Sequence, residues 1–220
     1  MSQADFSDYV VHFTKNERPW TLQHRPQDRQ AETIAATSAR DRLEAILKQR
    51  RILALRMPWT DCPAVCFTEC TWPSLLRHCK EYSSYGIGFE KAKIFARGGG
   101  PAIYMRQDHF AAQKKSFASE VYPFVAPFVP QYAPPEHRAK YWKEDRPFPM
   151  DFTHQREWRL PAQMEFAFDD VAFIFLAIHA DLDAMPQSAR KALPPEKWII
   201  VSNYQKIEEL WPQHNIGDGV

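Results

Sequence analysis

Hydrophobic residues in this chain come mostly in short runs that stop at polar groups. "DYVVHFT" (8–14), "RILAL" (51–55), "AVCFT" (64–68), "YGIGFEK" (85–91), "REWRLP" (156–161), "VAFIFLAI" (171–178) and "KWIIVS" (197–202) read as strands. They are short and rich in β-branched and aromatic residues, and turn or polar residues bound them. "ARGGGPAIYMR" (96–106) reads as a turn and then another strand. Helical spacing appears at 39–50, where Leu43, Ile46 and Leu47 form one stripe behind Ser38, a natural N-cap. Thr71 and Pro73 open a second helical stretch over 71–83, residues 108–122 suit a short helix, "ADLDAMPQSARKAL" (180–193) reads as helical, and "NYQKIEELW" (203–211) suits a terminal one. The polar stretch 15–37 reads as loop. Residues 107–150 carry six prolines from Pro123 to Pro147, and Pro149 beyond them, among aromatics, which predicts a connection laid over the core. The pattern predicts one α+β domain, with a central mixed or antiparallel sheet of six to eight short strands and two to four helices.

Composition narrows the class. The 220 residues are 45% hydrophobic and 25% charged, the balance of a globular chain rather than a disordered one. A net charge of +1 gives no global field for nucleic acid or an anionic membrane, so any phosphate contact needs a local groove. Arg50, Arg51, Arg56, Lys114 and Lys115 are the candidates for one. No apolar run approaches the roughly 20 residues of a spanning helix, and the first residues lack a basic then apolar leader pattern. The expectation is a cytoplasmic protein without a membrane partner. Seven glycines against eighteen prolines imply few tight hairpins and many stiffened connections. Cys62, Cys66, Cys70 and Cys79 cluster, but their spacing fits no zinc frame, so they read as small reduced hydrophobes and no metal is expected.

Candidate chemistry gathers where Phe-Thr closes a strand. In His12-Phe13-Thr14, strand alternation puts His12 and Thr14 on one face, where they can hydrogen-bond one polar ligand edge or neighbouring backbone. In "HQREWRL" alternation puts Gln155, Glu157 and Arg159 on one face and Arg156, Trp158 and Leu160 on the other. Glu157 is then either a site carboxylate held by Arg159 or part of an exposed ladder worth under about 1 kcal/mol. Glu69, closing "CFTE", is a second acid at the same rim. "RGGGP" (97–101) lacks the Lys-Ser/Thr that a phosphate loop needs and reads as a turn.

Taken in order, "YVVHFTK", "RLEAILKQRRILA", "AVCFTE", "YGIGFEKAKIFARGGGPAIYM" and "DFTHQREWRL" resemble the abortive-infection AbiGi-type family associated with phage resistance, over about residues 9–176. The chain is also distantly similar to DarT-type toxins, which ADP-ribosylate nucleic acid with NAD. That resemblance implies an ADP-ribosyltransferase-like fold with NAD as substrate. It aligns His12 and Thr14, with Phe13 between them, to the element that holds nicotinamide and its ribose, and Glu157 to the late catalytic acid. Arg51 and Arg56 are candidates for the catalytic arginine. Tyr85 or Tyr104 would stack on nicotinamide, and an arginine, here Arg159, would contribute to holding NAD. The helix before the second strand ends in "KQRRIL", where the toxins' pattern usually has a glycine. The implied partners are NAD, a DNA or RNA acceptor and a cognate antitoxin or toxin. The alternatives are an NAD glycohydrolase, or a non-catalytic binding or antitoxin-like module on the same scaffold.

Overall fold

The computed structural model describes residues 7–16, 37–69, 75, 78, 79, 82–141, 151 and 153–204. The architecture is α+β around a mixed sheet. Strand β1 (Tyr9–Phe13) is followed by helix α1 (Ala39–Gln49), then β2 (Arg51–Ile52), β3 (Leu55–Arg56) and β4 (Pro63–Thr68). Next come β5 (Gly86–Glu90), α2 (Lys91–Ala96), β6 (Gly100–Pro101), β7 (Ile103–Arg106), α3 (Gln107–Gln113), β8 (Val125–Phe128) and α4 (Pro135–Tyr141). The remainder is β9 (Glu157–Leu160), β10 (Met164–Glu165), β11 (Val171–Leu176), α5 (Asp181–Ala184), α6 (Gln187–Ala192) and β12 (Trp198–Ile200). The main sheet runs β12-β11-β5-β1-β4-β9-β6 with β3 on β4, while β10 pairs β2 and β7 pairs β8 in two small ladders.

The chain forms two compact units. The first holds residues 1–12, 49–71 and 88–172; the second holds 13–48, 72–87 and 173–220. In the first, β1, β4, β9 and β6 form an antiparallel ladder in which Val11 lies opposite Thr68 and Thr68 opposite Glu157. On one face His12 and Phe67 meet edge to face at 6.0 Å, Phe67 meets Phe89 at 6.1 Å, and Phe89 meets Phe166 at 5.5 Å. Gly99 marks a close approach: a Cβ there would lie 2.5 Å from Ile94 Cγ2 and 3.1 Å from the Arg159 carbonyl.

In the second unit α1 begins where Ser38 was expected to cap it. The Ser38 hydroxyl accepts the Asp41 N–H at 3.1 Å, and hydrogen bonding from Ser38 holds the Asp41 carboxyl below its usual range. Leu43 and Leu47 are fully buried, which anchors the apolar stripe. β11 and β12 pair in parallel from Ile174 opposite Trp198 to Leu176 opposite Ile200, and Phe13 stacks on Phe175 at 6.2 Å.

Several boundaries differ from the sequence reading. The β9 strand is Glu157–Leu160 because Arg156, at φ 44°, turns the backbone left-handed immediately before it. The helical segment 180–193 breaks into α5 and α6 at Pro186, which has no N–H to continue a helix. The proline-rich connection contains β8, with Pro127 opposite Met105 in a two-stranded ladder that leaves β8 an edge, where proline is tolerated. Helix α2 has no apolar period in the sequence to announce it, since Ile94 is its buried residue. The helix expected over 71–83 and the terminal one over 203–211 fall mostly outside the described residues.

Candidate functional site

Within the first unit His12 of "HFT", together with "CFTE" and "REWR", lies on or next to the adjacent strands β1, β4 and β9. This is where sequence-distant polar groups converge. Because directly opposed residues share a face, Val11, Thr68 and Glu157 form one row on one side of the ladder. His12, one position along, projects to the other side with Phe67 and Trp158, and its Nδ1 lies 2.9 Å from the Cys66 carbonyl oxygen. The ladder therefore places Glu157 and His12 on opposite faces.

On the Glu157 face the side chain of Arg159 is 2% exposed. Its Nε donates to Glu157 Oε1 at 3.0 Å and its Nη2 to Oε2 at 3.1 Å, a two-pronged pair. Its Nη1 donates to the carbonyls of Pro123 and Val125, both at 2.9 Å. Burial works against the guanidinium charge, but the Glu157 carboxylate and its hydrogen bonds hold Arg159 above its usual range. The Glu157 side chain keeps 14% of its surface exposed. Its N–H donates to the Tyr104 hydroxyl at 2.8 Å. Burial pushes the Tyr104 phenol up to about 12. The result is a carboxylate held at both oxygens by Arg159, on a side chain that stays partly exposed.

Glu69, at the end of β4 on the opposite face, has a cation of its own. Lys91 Nζ lies 2.6 Å from Glu69 Oε1, and Trp158 Nε1 donates to Oε2 at 3.1 Å. The Lys91 ammonium also sits 5.5 Å from the Trp158 ring centre, within cation–π range. Lys91 opens α2, so this partner was missed along with that helix. Neighbouring residues on β9, Glu157 and Trp158, thus serve two separate buried charge groups.

The remaining candidates are placed as follows. Arg56 is exposed on β3 and closes a turn, donating to the Asp61 carbonyl at 2.8 Å and to its carboxylate at 3.1 Å. In the second unit, Thr14 is buried and its hydroxyl meets the Ala39 carbonyl at 2.7 Å and the Tyr85 carbonyl at 3.2 Å. Phe13 packs between Phe175 and His78. The Tyr85 hydroxyl donates to Asp181 Oδ2 at 2.9 Å, and burial together with that carboxylate pushes its phenol up to about 12. Cys79 is buried and its thiol is pushed up to about 12, so it is poorly nucleophilic, while Cys70 lies outside the described residues. Arg50 takes φ 51°, the left-handed conformation that favours glycine, at the end of α1.

Each Glu157 oxygen keeps a lone pair beyond its Arg159 contact, which fits the carboxylate to accept a further hydroxyl. The Thr14 hydroxyl is less suited to a ligand, because its single proton is directed at backbone carbonyls. No protein-family model matches this chain, nor does any curated protein or solved structure.

Proposed function

We propose that this chain is an NAD-using, ADP-ribosyltransferase-like enzyme of a phage-defence or toxin–antitoxin type, with Glu157 as the acid that engages the reacting ribose. One observation carries the reading: a fully buried Arg159 immobilises a carboxylate that stays partly open. A buried ion pair adds little stability over apolar side chains of similar volume, so its presence is better understood as positioning than as glue. When the nicotinamide–ribose bond breaks, its electron pair leaves on neutral nicotinamide and positive charge develops at the ribose. An acceptor oxygen or nitrogen then bonds that carbon and releases its proton to solvent. A fixed carboxylate accepting a ribose hydroxyl stabilises that developing charge. The residues this needs, Glu157, Arg159 and Tyr104, all belong to the first unit.

The test is incubation with labelled NAD and a cell extract, beside Glu157→Gln. Wild type should release nicotinamide or label a macromolecule, and the variant should be slower by about a hundredfold or more. Unaltered activity in Glu157→Gln would remove Glu157 from the mechanism.

A second reading, a non-catalytic binding or antitoxin-like module, is favoured by two other observations. His12 projects to the face opposite Glu157, and the Thr14 hydroxyl points at backbone carbonyls. Absence of NAD turnover by a folded wild-type protein, together with a loss of stability in Glu157→Gln, would select it.

A further inference from the structure

Apart from Glu157, the first unit carries a surface groove of about 620 Å³, lined by Gln49, Arg50, Arg51, Arg97, Glu165 and Asp170, with Phe166 and Ala167. The depression is open to solvent rather than enclosed, so a ligand there would be held by charge at the surface. Three guanidiniums face two carboxylates there. One of these, Asp170, is already held by Lys93 at 3.3 Å and Arg97 at 3.0 Å, and it accepts the Ala167 N–H. Arg51 differs. Its Nε is buried and has no hydrogen-bond partner among the described residues. Glu165 is its direct neighbour across the β2–β10 ladder, yet no ion pair joins them among the described residues. A buried donor without an acceptor costs about 1–3 kcal/mol, which an oxyanion bonded to Nε would recover.

The location also bears on this. Arg50 and Arg51 follow the C-terminus of α1, whose carbonyl ends favour a cation by about 0.3–1 kcal/mol. That explains a positive charge at this point but gives Arg51 Nε no acceptor. Arg50 is exposed and held in a left-handed backbone that a side chain disfavours, while its carbonyl accepts the Phe166 N–H at 3.1 Å. Glycine would fit that backbone better.

We propose that this groove binds a phosphate oxyanion, with Arg51 and Arg50 as the principal donors. Guanidinium forks match phosphate geometry, and either a free nucleotide or a nucleic-acid backbone can supply the group. The proposal does not depend on NAD chemistry at Glu157.

The experiment measures binding of ADP by isothermal titration and of a short single-stranded oligodeoxynucleotide by fluorescence anisotropy, using the full chain. Binding of at least one probe should weaken between about 50 and 200 mM salt. Arg51→Gln and Arg50→Gly should each weaken it about tenfold or more. Arg50→Gly removes the cation while relieving the backbone, so it should lose affinity while melting no lower than wild type, which keeps the test decisive even if Arg51→Gln folds poorly. ADP binding alone identifies a free nucleotide as the source, and oligonucleotide binding alone identifies the backbone. If neither probe binds, or if Arg50→Gly binds as wild type does, the proposal is overturned.

Discussion

Replacing Arg159 with methionine separates the buried charge from the space it fills. The side chain is 2% exposed and makes four hydrogen bonds, two to the Glu157 carboxylate and two to main-chain carbonyls. Methionine occupies much of the same volume but leaves Glu157 without its cation and the Pro123 and Val125 carbonyls without donors. Breaking a buried pair from one side costs about 3–5 kcal/mol, and each stranded carbonyl adds up to about 1–3 kcal/mol. The partly open edge of Glu157 lets water recover some of this, so a net loss of about 4 kcal/mol is expected. For a chain of 220 residues that corresponds to a fall in Tm of roughly 8–16 °C. Glu157→Gln retains an acceptor for the guanidinium and should lose about 2 kcal/mol. The double variant strands no charge, so its loss should be smaller than the sum of the single losses by at least about 1.5 kcal/mol. Urea and thermal denaturation of the four proteins, followed by circular dichroism, complete the cycle. A shift under about 2 °C for Arg159→Met, or strictly additive losses, would refute the view that Arg159 is the buried clamp of Glu157.

Two further outcomes test the same region. The Tyr104 phenol, raised to about 12 chiefly by burial, binds its proton more tightly in the folded chain than in the unfolded one, where it titrates near about 10. Its contribution is therefore complete below about pH 10 and declines toward pH 12. Across that window wild type should lose about 2 kcal/mol more than Tyr104→Phe in urea titrations, and parallel profiles would contradict the assignment. Gly99→Ala should destabilise by about 1–3 kcal/mol, because its Cβ meets Ile94 and the Arg159 carbonyl and leaves β9 no room. Gly98→Ala at φ 85° has open space and should lose about 1 kcal/mol by backbone strain alone, so a larger effect at Gly98 than at Gly99 in thermal melts would reverse the argument.

What could be read from the sequence, and what could not, divides at the range of the interaction responsible. That Glu157 and Arg159 share a face follows from a two-residue period, a purely local rule, and the two-pronged pair between them obeys it. The cap at Ser38 and the stripe through Leu43 and Leu47 are equally local. Helix α2 was invisible because Ile94 is its only fully buried residue, and one anchor makes no period. With α2 went Lys91, whose pairing with Glu69 spans strand, loop and helix and has no signature in spacing. β8 was hidden by Pro127, which argues against a strand wherever the position in the sheet is unknown. Arg50 hid a left-handed turn because the residue that signals one, glycine, is absent there. The most consequential unknown was register. Sliding β1 by one residue along β4 would turn His12 to the Glu157 side, and only the observed pairing of Val11 with Thr68 places it on the other. Any chemistry at Glu157 must therefore be assembled from Arg159, Tyr104 and what approaches that face, and a loss of NAD turnover in His12→Ala would have to act through the strand rather than through contact at the carboxylate.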